Sequence, residues 1–285
     1  MLFGLWVAKN DNQVRGVMVA GSTVLLASAI WLTVYLVQQR NLGNTTDMLL
    51  ANSIMWFKPL NIAFSVSGVF GFFISTDMFT MFMFYEVALI PMYLLIGVWG
   101  TGAKEYSAMK LTLMLMGGSA LLILGILGIY YFSGATTMDV SELARMHTMS
   151  KTAQNIFFPF VFIGFGVLGA LFPFHTWSPD GHASAPTAVS MLHAGVLMKL
   201  GGYGCFRIAM FLLPEAAHDL AWIFLILTTI SVVYGAFSAC VQTDLKYINA
   251  YSSVSHCGMV LFALLMMTQT AITGAILQML SHGLM

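Results

Sequence analysis

Four ionisable side chains stand near the middle of long apolar stretches: Glu86, Lys199, His256 and His282. A charge at the centre of a bilayer costs at least about 2.5–3.5 kcal/mol on insertion scales, so such residues are retained mainly where they have a function. Histidine and buried lysine can exchange protons near neutral pH. Counted along a helix, each of the four falls at a similar depth. This pattern predicts a polar, proton-conducting path along the membrane plane.

Each of these residues also has a simpler interpretation. Glu86 and Lys199 could form one buried ion pair that only fixes helix packing. His256 or His282 alone could be a core histidine with satisfied hydrogen bonds. Metal binding fits less well, because no His or carboxylate pair stands at i, i+4 within a stretch. The set as a whole favours a proton relay.

Four more polar side chains extend this hypothesis. His193 lies six residues before Lys199, about 9 Å along a helix, and either lengthens the path or caps the interrupted segment beside it. His175 flanks that segment and is expected to hydrogen-bond freed backbone groups. Lys110 is expected to extend towards the membrane surface. Lys246 stands in a short loop and is a further candidate for the path.

Residues 172–187 interrupt the apolar pattern. The segment contains Pro173, Pro179 and Pro186, and proline removes a backbone donor and breaks a helix. Inside a bilayer, irregular backbone survives only where protein or a water-filled cavity covers it. The segment therefore predicts a broken membrane helix, which often marks a transport site. A polar loop at the surface is the alternative.

The composition excludes a soluble domain. Of 285 residues, 59% are hydrophobic and 8% are charged, against about 25% charged in soluble domains. We expect an all-α, polytopic transmembrane helix bundle that forms a single domain over residues 1–285. Basic and acidic residues are equal in number, so nothing indicates nucleic acid. The three cysteines lie in apolar runs without a CxxC pair, so the chain is expected to bind no cofactor or metal and to carry no redox centre.

Hydropathy divides the chain into candidate spans. Spanning helices are expected at residues 16–37, 78–99, 109–132, 187–213, 220–241 and 248–267, with 156–171 starting the broken helix, 271–285 starting another, and loops at 41–59, 100–107 and 133–155. A span needs roughly 20 apolar residues, and residues 60–75 fall short of this. The sequence resembles a fragment truncated near Met1 and at Met285. The short loops beside Lys104 and Lys246 are expected to be cytoplasmic.

Several motifs along the chain form a recognisable series. They read FYEVALIPMY at 84–93, FPFHTW at 172–177 with SAPTA at 184–188, HAGVLMKLGGYG at 193–204, and DLK at 244–246 followed by AYSSVSH at 250–256 and SHG at 281–283. The series resembles the antiporter-like subunits of respiratory complex I, in particular the chain 4 type of NADH–quinone oxidoreductase. It covers most of residues 69–285.

The resemblance implies a fold of two inverted repeats, each with a broken helix, of which this chain would contain the first and the start of the second. It implies a proton-translocating membrane subunit of an NADH:quinone oxidoreductase in the bacterial inner membrane. Partners would be other membrane-arm subunits and the lipid bilayer. NADH, FMN, iron–sulfur clusters and quinone would be bound elsewhere in the complex. A subunit of a multisubunit cation/proton antiporter or of a membrane-bound hydrogenase is the alternative, and the transported ion could be H⁺ or Na⁺.

The resemblance also implies roles for single residues. Glu86 would be the acid that biases an adjacent lysine, Lys199 the bridging lysine of the axis, and His256 and His282 its continuation. One departure affects this scheme. The family usually has Val-Lys-x-Pro where this chain has VLGA at 167–170. Leucine therefore stands at position 168, where the family has the lysine that pairs with its glutamate. His193, Lys199 or bound water would then take part of that role.

A second departure lies near residues 68–70. The family normally has an outer loop and further helices before the segment that matches residues 72–99. Here almost no residues separate the part of the chain that ends near residue 69 from the segment that matches residues 72–99. This arrangement resembles an internal deletion.

Overall fold

The computed structural model describes residues 47–146 and 149–284, and for residues 47–59 the backbone alone. The helices in this part of the chain are α1 (Asp47–Ile74), α2 (Met78–Trp99), α3 (Lys104–Ser133), α4 (Val140–Met146), α5 (Lys151–Leu168), α6 (Trp177–Ser184), α7 (Thr187–Leu192), α8 (Met198–Gly204), α9 (Pro214–Val241), α10 (Leu245–Leu265) and α11 (Gln269–Leu284). Two π-helical segments, His193–Leu197 and Cys205–Met210, follow α7 and α8.

The expectation of an all-α, multi-pass membrane protein is confirmed. Helices α2, α3, α5, α9 and α10 are each long and apolar enough to cross a membrane. No strand is found among the described residues. The span expected at residues 16–37 lies outside the described residues, as do Met1 and Met285.

Two expected loops are partly helical. Residues 47–59 belong to α1, because polar residues and a proline near the middle of a helix do not by themselves break it when its backbone bonds are satisfied. Within 133–155, α4 forms a short helix and α5 begins already at Lys151. The hydroxyl of Ser150 caps α5 by accepting a hydrogen bond from Ala153 N at 3.3 Å. Hydropathy indicates which residues are buried. The ends of these helices depend instead on capping hydrogen bonds.

The backbone leaves its helical path after α5. Leu171 N donates to Gly166 O at 2.8 Å and Ala170 N to Val167 O at 3.1 Å. Ala170 takes the left-handed conformation, with φ 55°, at the position that glycine usually holds in this kind of helix end. The last carbonyls of α5 therefore accept hydrogen bonds from backbone N–H groups that directly follow the helix. Residues 169–176 then lead on to the short helix α6.

Side chains satisfy backbone groups at the start of α6. The indole Nε1 of Trp177 donates to Val167 O at 3.1 Å. The hydroxyl of Ser231, on α9, donates to Ala170 O at 3.3 Å. Val167 O also accepts from Ala170 N, so Trp177 adds a second hydrogen bond to it, and Ser231 gives Ala170 O a side-chain donor. An apolar environment makes such bonds necessary, since an unpaired carbonyl there costs several kcal/mol.

The other end of α6 is held in the same way. The ammonium group of Lys246 donates to Ala183 O at 3.1 Å and to Ala185 O at 3.2 Å. The backbone N–H of Thr101 donates to Ser184 O at 2.8 Å. These carbonyls lack a helical donor because the chain turns at Pro186. Helix α6 is thus anchored at both ends by residues of other elements.

Glycines allow the helices around α6 to approach closely. A Cβ added at Gly201, in α8, would lie 2.5 Å from Gly169 N and 2.6 Å from Phe165 O. A Cβ added at Gly235, in α9, would lie 2.9 Å from Ser255 N in α10. Contacts between backbones at small residues are the usual means of packing helices in membranes.

A Gly201→Ala substitution should lower the stability of the chain. The atoms that the new methyl group would meet belong to backbone, which cannot rotate away, so we expect a loss of about 1–3 kcal/mol. The measurement is the fraction of folded chain remaining after heating in detergent. Gly117→Ala is the matched control, because a Cβ there meets nothing within 4 Å. Equal stability of the two variants would contradict this packing.

Candidate functional site

Three of the four predicted path residues come together. The Nζ of Lys199, in α8, hydrogen-bonds with Nδ1 of His282, in α11. The rings of His282 and His256, in α10, have centroids 4.9 Å apart. Nδ1 of His256 in turn pairs with Nε2 of Gln278 at 2.9 Å. The three helices therefore hold one continuous polar chain, which we call the central chain (Lys199, His282, His256 and Gln278).

The π-helical segment before α8 positions the lysine. Lys199 is buried, and its Nζ also donates to Ala194 O, five residues earlier in the same helical run. A wider helical turn is common at functional sites because it displaces a carbonyl from regular bonding. The lysine, both histidines and Cys257 line a cavity of about 10 Å³, the scale of a single water molecule.

A second pair of histidines continues from the central chain towards α6. His193 and His182 have ring centroids 4.5 Å apart, and Nδ1 of His182 pairs with the hydroxyl of Ser190 at 2.9 Å. Both ring nitrogens of His193 are buried and find no hydrogen-bond partner among the described residues. Lys199 is close enough to act on both rings electrostatically. His193 therefore does not cap the interrupted segment, and its other interpretation, as an extension of the path, stays a prediction.

Glu86 lies apart from the central chain. Its Oε1 is buried without a hydrogen-bond partner, and the described part of the chain places no Lys, Arg or His nitrogen within 4.0 Å of it. Ser119, on α3, is the polar side chain beside it. Neither His193 nor Lys199 takes the place of the missing lysine by direct contact.

Two of the auxiliary residues have partners that the sequence did not indicate. Lys110 does not extend to the surface alone: its Nζ lies 2.6 Å from Oδ2 of Asp180, on α6, and both side chains are about a quarter exposed. Lys246 anchors the carbonyl end of α6, as described above. Both interactions join residues more than 60 positions apart, which sequence spacing does not reveal.

The expectation that His175 hydrogen-bonds a freed backbone group stays a prediction. The His175 ring packs between Phe172, at 5.5 Å, and Tyr234, at 5.0 Å. Neither ring nitrogen makes a hydrogen bond within the described residues, although the Pro173 carbonyl is near. Trp177 and Ser231 donate to two other carbonyls of this region, Val167 O and Ala170 O.

Sequence reasoning missed Gln278 as a site residue, and it placed His182 and Asp180 in the interrupted segment without naming their partners. Gln278 had a usable signal, since it lies four residues before His282 and residues at i and i+4 share a helix face. His182 and Asp180 gain their partners only through tertiary packing. The described residues hold no group of three or more His, Cys, Asp or Glu side chains that could bind a metal ion.

This arrangement defines a class: a multi-pass helical membrane protein with a chain of ionisable side chains in its interior. Residues 75–285 match the family described as "NADH:quinone oxidoreductase/Mrp antiporter, TM". The match covers well over half of the chain, which therefore belongs to this family.

Named relatives agree with this assignment. The chain is 42% identical to NAD(P)H-quinone oxidoreductase chain 4-2 of a Synechocystis species, over 75% of this chain and 38% of the relative. It is 39% identical to NADH-quinone oxidoreductase subunit M of Rickettsia bellii, over 75% of this chain and 43% of the relative. The chain thus spans less than half the length of these relatives.

Solved structures share the fold. Respiratory complex I from Thermus thermophilus contains a chain that matches with a TM-score of 0.74 at 25% identity, covering 81% of this chain and 50% of that one. An archaeal membrane-bound sulfane sulfur reductase matches with a TM-score of 0.72 at 26% identity, covering 79% of this chain and 46% of that one.

We predict that Leu168→Lys restores an ion pair to Glu86. A Cβ added at Gly118 would lie 2.9 Å from the Val167 Cβ, so the residue before position 168 contacts α3 one position from Ser119. A lysine there should couple to the carboxylate by on the order of 1–3 kcal/mol. If the chain takes part in the proton translocation proposed below, that activity should then change its dependence on pH.

The measurement is proton uptake by membrane vesicles across a pH series. Leu168→Met is the volume-matched control and should leave the profile unchanged. Adding Glu86→Gln to the lysine variant should cancel the change. A profile that does not move in the lysine variant would count against any role for this pair.

Proposed function

We propose that this chain is part of a proton-translocating membrane subunit of an NADH:quinone oxidoreductase, which couples electron transfer to proton pumping. The observation that carries the proposal is the hydrogen bond between buried Lys199 and His282, continued by His256. Four ionisable groups within an apolar interior are costly. A scaffold would not need them, whereas a proton path does.

In the central chain, charge moves by proton transfer along the Lys199–His282 hydrogen bond and then across the contact between the His282 and His256 rings. A proton on Lys199 Nζ passes to Nδ1 of His282, which turns an ammonium and an imidazole into an amine and an imidazolium. Two imidazolium rings 4.9 Å apart would repel by on the order of 3 kcal/mol at an effective dielectric constant of about 20. A proton that arrives at His256 therefore drives the neighbouring proton back to the lysine.

The interrupted helix fits this function. Residues 172–187 act as the broken helix of the first inverted repeat, within a single transmembrane domain, and the chain continues into the start of the second repeat. Support comes from α6, whose two ends are held by Trp177, Lys246 and Thr101. A short helix held from outside keeps its polar residues at a constant depth.

Orientation and partners follow from charge and from the apolar surface. The loops that carry Lys104 and Lys246 meet at the Ser184 end of α6, and positive loops are cytoplasmic, here in a bacterial inner membrane. Apolar side chains are exposed along α2, α3 and α9. Lipid and other membrane-arm subunits cover them, and those other subunits bind NADH, FMN, iron–sulfur clusters and quinone.

Substitution of the central lysine tests the proposal. In the complete subunit within native membranes, Lys199→Ala should reduce NADH-driven proton uptake and electron transfer about tenfold or more, since positioned proton transfer commonly contributes that much. The matched control is Lys104→Ala, which removes a lysine that donates only to Val98 O. Rates of proton uptake and of electron transfer that are both unchanged in an assembled Lys199→Ala complex would overturn the proposal.

A further inference from the structure

The central chain ends in a side chain that cannot carry a proton. Nε2 of Gln278 lies 2.9 Å from Nδ1 of His256, a normal length for a hydrogen bond. Lysine and histidine gain and lose protons, whereas the amide of glutamine only donates or accepts hydrogen bonds. Gln278 therefore acts on the relay through the histidine that it holds.

Helix α11 places this amide beside the lysine–histidine pair. Gln278 and His282 are four residues apart, on one face of the helix. His282 bonds with Lys199, on α8, while Gln278 bonds with His256, on α10. The two histidine rings have centroids 4.9 Å apart. One face of α11 thus supplies one ring of the relay and the partner of the other ring.

The direction of the amide bond fixes the resting form of His256. The nitrogen of an amide donates hydrogen bonds and does not accept them. Nδ1 of His256 is therefore the acceptor, so it carries no hydrogen and the ring is neutral, with its hydrogen on Nε2. Protonation would break this bond, because an imidazolium carries hydrogen on both nitrogens and cannot accept from an N–H group.

The surroundings of His256 favour the same neutral form. It lines a cavity together with Lys199 and His282, and a positive charge on that pair would repel a charge on the neighbouring ring. Cys257 is the other titratable residue there, and no carboxylate is among the described residues that line this cavity. An imidazolium at His256 would thus lack an anion to stabilise it.

Two further helices pack against α10. Helix α9 approaches beside His256 through Ser231 and Gly235, which do not titrate. Asp180, on α6, accepts a hydrogen bond from Tyr247, nine residues before His256, which is about 13 Å along a helix. The charge of His256 therefore depends chiefly on the residues that line the cavity.

We propose that Gln278 is a positioning residue that keeps resting His256 neutral, so that the resting proton of the central chain stays on the Lys199–His282 pair. This inference rests on the proposed function. A proton then occupies His256 only when the relay drives it there, at the expense of the amide bond. Without this bias, the proton would spread over both rings, and the step between them would lose its direction.

Two substitutions of nearly equal size test this role in the complete subunit within native membranes. Gln278→Leu removes the donor, so NADH-driven proton uptake should fall about three- to tenfold, the effect of one hydrogen bond on an equilibrium. Gln278→Glu replaces the donor by an acceptor that stabilises the imidazolium. Uptake should then fall about tenfold or more near pH 7 and should recover as the pH rises, because the trapped imidazolium loses its proton.

A purely structural glutamine predicts the opposite. Leucine is apolar and would be tolerated in the interior, and a buried glutamate would do least harm at low pH, where it is protonated. Unchanged uptake in Gln278→Leu, or recovery of Gln278→Glu on lowering the pH, would contradict the inference. Gln269→Glu, at the exposed first residue of the same helix, is the matched control and should change nothing.

The remaining outcomes separate this inference from the proposed function. A defect in Lys199→Ala with normal uptake in Gln278→Leu overturns the role of Gln278 alone. If neither variant affects uptake, the proposed function and this role are both wrong. If only one of the two Gln278 variants assembles, that variant decides. If both fail to assemble while Gln269→Glu assembles, Gln278 serves the fold and the inference is wrong.

Discussion

The structure depends on one constraint: inside a bilayer, no water is present to satisfy a backbone group that a helix releases. The chain leaves the helical path between α5 and α7, so every carbonyl freed there must find a donor within the protein. Trp177 and Ser231 supply donors at one end of α6, and Lys246 and Thr101 supply them at the other. These bonds accompany the packing of α3 and α10 against α6, and they join α9 to the segment that precedes α6. The break therefore organises the bundle and brings polar side chains to a defined depth.

The same constraint accounts for the pairing of the ionisable residues. A lone lysine in this interior would be too costly, and Lys199 is instead joined to His282 and to a backbone carbonyl displaced by the π-helical segment. Stable pairing would trap a proton, however. The neighbouring rings of His256 and His282 are close enough to make double protonation unfavourable. In the proposed relay, this repulsion opposes the pairing at Lys199 and so keeps the proton from being trapped there.

Glu86 is the exception, and it shows how a local substitution can change the electrostatics of such a path. With Leu168 in the position of the expected lysine, one carboxylate oxygen is buried without a partner. The carboxyl group retains only Ser119 beside it. Any proton transfer that involves Glu86 must therefore proceed without an ion pair inside the described part of the chain.

The sequence by itself determined the class of fold, the membrane helices and the mid-membrane depth of Lys199, His256 and His282, because hydrophobicity and the cost of burying charge act residue by residue. It did not determine which polar groups meet. The Lys110–Asp180 pair and the Lys246 anchor join positions more than 60 residues apart, and helix ends such as that of α5 depend on local caps. Only the tertiary structure decided these contacts, since partner choice depends on how helices pack around a break.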